Sequence, residues 1–239
     1  MRRRRPTVAS AGAAAFVAAP VIGPGESWQG GRVRFTPATP ERLVETIAGW
    51  IDGRSPLRGV VGFDGADEIG AGALADNVAA RLVAMGRPAV RVSTRWWWRP
   101  ASLRLEFGRE EIDTLLGGWV DTAAIRREVI APLMAGSASL VARLRDPETD
   151  RSVRDEREAV PPNAVALLDG PFLASLGLPI DAVIHLRVSD AVLARLLPPD
   201  RQWWIAGFDR YRREYRPDDR ADVVVSYDHP SAPAMAGIG

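Results

Sequence analysis

The chain has 239 residues, of which 46% are hydrophobic, and a formal net charge of +1. A chain of this length buries about 70% or more of its unfolded surface, so one α/β domain needs no metal or disulfide for stability. The absence of cysteine excludes disulfides, zinc–thiolate sites and a cysteine nucleophile. The near-neutral charge predicts neither a nucleic-acid partner nor an anionic membrane partner.

The N-terminal residues 1–36 are rich in Gly, Ala, Pro and Arg, and we exclude them from the predicted fold. Four arginines at 2–5 precede a short apolar stretch, which resembles a secretory signal, including the twin-arginine type. The alternative is a disordered extension or a start codon assigned too far upstream. The stretch is too short and too rich in Ala to predict a membrane span. We expect a cytoplasmic protein.

The first half of the domain alternates helices and strands. We predict a helix over 40–51, because Thr39 can cap it, Pro40 suits its first turn and Gly53 can end it. A buried strand over 58–64 and a helix over 71–85 follow, and the helix has its apolar residues on one face. The next predicted elements are a strand over 88–93, a helix over 122–134 capped by Asp121, and a short strand over 140–144.

The second half continues the alternation. We predict strands over 164–168, 182–188 and 221–226, and helices over 191–197 and 203–215. Strands that alternate with helices indicate a mostly parallel sheet covered on both faces. The domain is therefore expected to span residues 37–233, with residues 234–239 as a tail.

Residues 62–75 have the spacing of a phosphate-binding loop but lack its reactive groups. Such a loop needs Gly, four residues, Gly, Lys and then Ser or Thr. Gly65 and Gly70 stand at the glycine positions, whereas Ala71 replaces the lysine and Gly72 replaces the hydroxyl residue. All 31 basic residues are arginine, a bias typical of GC-rich genomes, so no lysine elsewhere in the chain can substitute.

Four segments resemble the uridine kinase and phosphoribulokinase family of P-loop kinases, in a bacterial form typical of actinobacteria. They are the loop at 62–75, the run Val-Ser-Thr-Arg-Trp-Trp-Trp-Arg-Pro at 92–100, the strand ending in Asp-Gly within 164–173, and the helix and strand within 211–225. The second run is similar to the family's Val-Ser-Leu-Asp-Asp-Phe-Tyr-His-Pro. Their order along the chain implies a P-loop NTPase-type three-layer α/β sandwich.

The resemblance also shows where this chain departs from the family. The family's loop lysine holds phosphates, and a hydroxyl holds Mg²⁺. Its acidic pair after the second strand corresponds here to Arg95 and Trp96, and arginine stays protonated and cannot act as a base. Arg195 matches one lid arginine of the family, and Arg201 is a substitute for the others. Asp169 is the one carboxylate left in a metal or water position.

The retained residues also have structural interpretations. Gly65 and Gly70 serve either the backbone freedom of a turn or phosphate binding through N–H groups at a helix start. Asp169 serves either the site or the cap of a following helix. Arg195 and Arg201 serve either the ligand or ordinary surface ion pairs.

The run of tryptophans at 96–98 is interpreted either as core packing or as a ligand wall. Alternate residues of an extended segment share a face, so Trp96 and Trp98 are expected to lie together beside Arg95. A pocket at this sheet edge, with Arg201 nearby, would prefer a flat or apolar ligand that carries an anionic group for Arg95. His185 lies in an apolar strand and is expected to be a satisfied core histidine.

The sequence therefore predicts a pseudokinase that binds a small molecule or a partner in the former acceptor pocket, with no cofactor and no metal. One alternative is an active nucleoside or small-molecule kinase with a divergent site, which would use ATP and Mg²⁺. Another alternative is an enzyme with non-kinase chemistry on an apolar or aromatic substrate. We expect no nucleic-acid or membrane partner, and a homo-oligomer is compatible with the sequence.

Overall fold

The structure is a computed structural model, and it describes residues 34–54, 58–137, 139–154 and 157–238. The N-terminal extension expected over 1–36 therefore lies almost wholly outside the described residues. Within the described ranges, no helix combines the length and the apolar character needed to cross a bilayer.

A seven-stranded sheet forms the centre of the domain. The strands are β1 (Thr36–Pro37), β2 (Gly59–Asp64), β3 (Ala89–Ser93), β4 (Ser139–Leu140), β5 (Glu158–Ala159), β6 (Val165–Gly170), β7 (Ala182–Arg187), β8 (Val223–Ser226) and β9 (Ala234–Ala236). The sheet has the order β1-β9-β8-β7-β2-β6-β3, while β4 and β5 pair separately. The five strands from β8 to β3 are parallel, and β9 and β1 extend the sheet in antiparallel pairs.

Helices flank this sheet and complete a P-loop NTPase-type three-layer sandwich. The α-helices are α1 (Pro40–Asp52), α2 (Ala71–Ala84), α3 (Ala101–Arg104), α4 (Ile112–Gly117), α5 (Thr122–Ile125), α6 (Ala131–Ala135), α7 (Asp190–Leu196), α8 (Trp204–Tyr215) and α9 (Pro217–Arg220). Helices α1 and α2 pack together, as do α4 and α8. The predicted fold class is confirmed.

The local signals in the sequence act as expected. The Thr39 side chain accepts a hydrogen bond from the N–H of Arg42 at 3.2 Å at the start of α1. Asp121 accepts one from the N–H of Ala124 at 2.9 Å at the start of α5. Every residue of β2 and β6 is buried, as expected for central strands covered by helices on both faces.

Three segments differ from the prediction. Residues 234–236, expected in the tail, form β9, which pairs with both β8 and β1; three residues are too few for a periodicity signal. The helix expected over 122–134 contains a π-helical turn, Arg126–Ile130, before Pro132, which has no N–H to donate. The strand expected over 140–144 shortens to β4, because the N–H groups of Leu144 and Arg145 bond to the carbonyl of Trp96.

Candidate functional site

A cavity of about 450 Å³ lies at the carboxyl end of the parallel strands. Open α/β sheets bind ligands at this edge, and the volume falls within the range of small-molecule sites. The loop after β2, the first turn of α2 and the ends of β3 and β6 surround it. The described residues that line it are Asp67, Gly70, Gly72, Ala73, Asp76, Arg91, Ser93, Arg95, Trp96, Ala142, Arg143, Glu158 and Asp169.

The loop after β2 keeps its two glycines for reasons of backbone geometry. Gly70 has φ of 92°, a region that strains other residues, and α2 begins directly after it. A Cβ on Gly65 would lie 3.0 Å from Cδ1 of Ile69. The residues between the glycines form a 3₁₀ turn, in which the N–H groups of Ile69 and Gly70 donate to the carbonyls of Ala66 and Asp67. These two N–H groups are used inside the loop, which favours the turn interpretation of both glycines.

Two carboxylates, Asp67 and Glu68, stand in the turn between the two glycines. Glu68 Oε1 accepts a hydrogen bond from Nη1 of Arg201 at 2.5 Å. The nearest cation to Asp67 is Arg95, with Nε 3.9 Å from Oδ2, and no donor of the described residues reaches the Asp67 carboxylate within hydrogen-bond distance. Burial, reinforced by the charge of Asp169, raises the pKa of Asp67 to about 6. The loop therefore carries its own negative charge.

The Asp169 carboxylate at the end of β6 is already paired. The register of β3 and β6 places Ser93 opposite Asp169, and the Ser93 hydroxyl donates to Oδ2 of Asp169 at 2.9 Å. Arg91 Nη2 donates to Oδ1 at 2.6 Å, and the same guanidinium donates to Oδ1 of Asp76 at 2.6 Å and to the carbonyl of Leu167 at 2.7 Å. Asp169 thus binds a built-in cation and does not cap a helix.

Sequence reasoning did not single out Arg91. The run Val90-Arg91-Val92 carries no special signal, since successive side chains of a strand point to opposite faces and a polar residue between two apolar ones is ordinary. The partner of Arg91 could not be read from the sequence, because the β3–β6 register brings the arginine beside Asp169 across 78 residues of chain.

The three consecutive tryptophans have three different environments. Residues Thr94–Trp97 form a 3₁₀ turn, so successive side chains point in different directions. Trp96 lines the cavity, with the Arg143 guanidinium 5.1 Å from its ring centroid. Trp97 is fully buried, and its Nε1 donates to a backbone carbonyl at 3.2 Å. Trp98 is buried away from the cavity lining, so the expectation that Trp96 and Trp98 share one face is wrong.

Trp98 belongs instead to an aromatic cluster beside the site, which contains Trp98, Trp119, Trp203, Trp204 and Phe172. The Arg201 guanidinium lies 5.4 Å from the Trp204 ring and 6.0 Å from the Trp98 ring while it binds Glu68. Arg201 therefore connects this cluster to the loop. Arg195 is exposed on α7 and does not line the cavity.

A second set of polar groups lies beneath the loop and was not predicted as a set. Asp64, the last residue of β2, is buried and accepts hydrogen bonds from the Tyr211 hydroxyl at 2.7 Å and the Leu173 N–H at 3.1 Å. His185 Nδ1 lies 2.8 Å from Asp64, and its Nε2 lies 3.4 Å from Asp218. Burial raises the pKa of Tyr211, so its hydroxyl remains a donor. His185 is the satisfied core histidine that the sequence predicts.

The residues around the cavity do not fit ATP with Mg²⁺ in the way that the resemblance implies. The Arg91 guanidinium already lies 2.6 Å from Oδ1 of Asp169, so a Mg²⁺ ion at this carboxylate would meet a fixed positive charge. Gly72 has no hydroxyl, and a Cβ there would lie 3.3 Å from Oδ2 of Asp169. In the described part of the chain, no three His, Cys, Asp or Glu side chains are arranged to hold a metal ion.

Two solved structures share the fold of the chain. One is a possible uridine kinase from Bacillus stearothermophilus, with a TM-score of 0.60 and 21% identity over 76% of this chain and 96% of that one. The other is the YGR205w protein, with a TM-score of 0.54 and 12% identity over 84% of this chain and 100% of that one. The chain matches no protein-family model and no curated protein. The chain therefore has the fold of uridine-kinase-like P-loop proteins, and at these identities the likeness concerns the fold alone.

Proposed function

We propose that the chain is a pseudokinase, a P-loop-kinase fold that does not transfer phosphoryl groups and that binds a small ligand in the cavity. The observation that carries the proposal is the ion pair of Arg91 with Asp169, 2.6 Å long. The Arg91 guanidinium lies against Asp169, the one carboxylate that the resemblance places in the metal or water position.

The electrostatics of the loop support the proposal. Catalysis of phosphoryl transfer depends mostly on positioned cations and N–H groups around the phosphates. Here Ala71 stands at the lysine position, and two loop N–H groups bond within the loop. Asp67 and Glu68 would repel a phosphate that approached the same turn.

The cavity itself supports ligand binding. Its volume is about 450 Å³, and its lining combines charged groups with the indole of Trp96.

The test measures thermal unfolding with and without Mg-ATP, together with uridine phosphorylation. A ligand at 100 times its dissociation constant stabilises a fold by ~2.7 kcal/mol, so binding would be visible. We expect no shift and no product, with an active uridine kinase as the positive control in both assays. A shift with Mg-ATP that Mg²⁺ alone does not give, or phosphorylated uridine, would contradict the proposal.

A further inference from the structure

The arginines that line the cavity are engaged with the protein's own groups. Arg91 donates to Asp169, Asp76 and a backbone carbonyl, so its guanidinium has little capacity for a ligand. Arg95 Nη2 donates to Glu148 at 2.7 Å, and its buried Nε, which has no hydrogen-bond partner among the described residues, lies 3.9 Å from Oδ2 of Asp67 rather than open to the cavity. An anionic ligand would have to break this pair or compete with it. The anion expected for Arg95 from the sequence is therefore disfavoured.

The carboxylates, by contrast, are incompletely compensated. Four carboxylates and three guanidinium groups line the described part of the cavity. Asp67 has no hydrogen-bond donor among the described residues, and its closest cation is 3.9 Å away. An acceptor in a partly desolvated cavity is costly until a donor reaches it.

The start of α2 also lines the cavity, and a helix N-terminus alone favours an anion. A carboxylate of the protein already lies near this terminus, since a Cβ on Gly72 would be 3.3 Å from Oδ2 of Asp169. The same cavity is lined by the Trp96 ring, with the Arg143 guanidinium 5.1 Å from its centroid. Indole and guanidinium planes both stack with flat groups.

We propose that the cavity binds a flat organic cation, whose amidinium, guanidinium or protonated amine donates to Asp67 and whose planar body packs on Trp96 and Arg143. The inference rests on the proposed function, since it names the ligand class of the same cavity. It selects against phosphate esters and carboxylates, which the loop carboxylates repel.

The experiment uses three probes of one shape: benzamidine, a cation; benzamide, which is neutral; and benzoate, an anion. Binding is followed in the full chain by calorimetry and by the NMR signals of the indole N–H groups. We expect benzamidine to bind about tenfold or more tightly than the other two, the effect of one charge-assisted hydrogen bond. Asp67→Asn should remove this preference, whereas Glu106→Gln, at an exposed carboxylate outside the cavity lining, should keep it.

The pH dependence gives a second readout. The groups that act on Asp67 are Asp169, Glu68, Arg95 and Arg201. Because the pKa of Asp67 is raised to about 6, benzamidine should bind more weakly as the pH falls below that value, and this dependence should disappear in Asp67→Asn.

Several results would overturn the inference: tighter binding of benzoate or benzamide, benzamidine binding that Asp67→Asn leaves unchanged, or no indole shift with benzamidine up to its solubility limit. If benzoate or benzamide bound best in this cavity, the pseudokinase proposal would stand while the ligand class would be wrong. The pseudokinase proposal itself fails through Mg-ATP binding or uridine phosphorylation, which these probes do not measure.

Discussion

Asp67 and Asp169 line the same cavity, but their surroundings differ. Asp169 accepts two short hydrogen bonds, one of them from a guanidinium, whereas Asp67 accepts none from the described residues. Removal of the cation bonded to a buried carboxylate destabilises the fold. A desolvated carboxylate without a bonded cation favours its protonated form. Each residue therefore yields a different prediction.

Replacement of Arg91 by Gln should lower the free energy of unfolding by about 3 kcal/mol, because it leaves the buried Asp169 carboxylate without its cation. The double variant Arg91→Gln with Asp169→Asn should recover much of this loss, and urea unfolding of the double variant and of each single variant measures the coupling. Arg81→Gln, at an exposed position on α2, is the control. A loss under about 1 kcal/mol in the single variant, typical of exposed pairs, would contradict the prediction.

Replacement of Asp67 by Asn should stabilise the fold at neutral pH. The pKa of Asp67 is raised from 3.8 to about 6, so the folded state binds this proton more tightly than the unfolded state. The stability of the wild type therefore falls as the pH rises through this window. The variant should gain roughly 1–3 kcal/mol at about pH 7.5 and little at about pH 4. Urea unfolding at both pH values tests this; an equal effect at both would show that the charge is not the cause.

Among the elements, two 3₁₀ turns determine the shape of the site. The turn after β2 directs Asp67 to the cavity, and the turn after β3 separates the tryptophans. Because a 3₁₀ turn has about three residues per turn, alternate side chains do not share a face as they do in a strand. One ring therefore borders the cavity while the next two pack in the protein.

This difference predicts unequal effects of truncating the tryptophans. Trp97→Ala and Trp98→Ala should each lower the free energy of unfolding by ~3–5 kcal/mol, since both rings are buried. Trp96→Ala should cost clearly less, because its ring borders the cavity. Denaturant unfolding of the three variants provides the comparison, with Trp96→Ala as the matched control. Equal losses at all three positions would mean that Trp96 closes the cavity as a core residue.

At the scale of the whole molecule, the positions inferred to have lost their kinase residues lie on different elements. Ala71 and Gly72 begin α2, whereas Arg95 and Trp96 follow β3. Recovery of phosphoryl transfer would therefore need changes on more than one element.

The pair Ala71→Lys with Gly72→Ser should not produce uridine phosphorylation. Arg95 and Trp96 still supply neither a base nor a metal carboxylate, and Arg91 still binds Asp169. Addition of Arg95→Asp and Trp96→Asp is the minimum expected to allow turnover. The measurement is product formation from labelled ATP and uridine. Product from the two-residue variant alone would show that the assignment of the residues after β3 is wrong.

Local sequence signals suffice to predict most of the elements and the fold class. Caps at Thr39 and Asp121, apolar runs for β2 and β6, and the order of strands and helices are local signals, and each is confirmed. The glycines at 65 and 70 also located the loop, because a positive φ at Gly70 and close packing at Gly65 depend on the chain nearby.

The pairing of the charged side chains around the site depends on the tertiary structure. Arg91 meets Asp169 through strand register, Arg201 meets Glu68 across 133 residues, and β9 joins the sheet through pairing rather than through any pattern of its own. Such contacts depend on distances between segments far apart in the chain, and no local spacing encodes them. The sequence predicts which groups of the resembled kinase loop are absent; the fold shows which side chains line the cavity, and Asp67 faces it without a donor among the described residues.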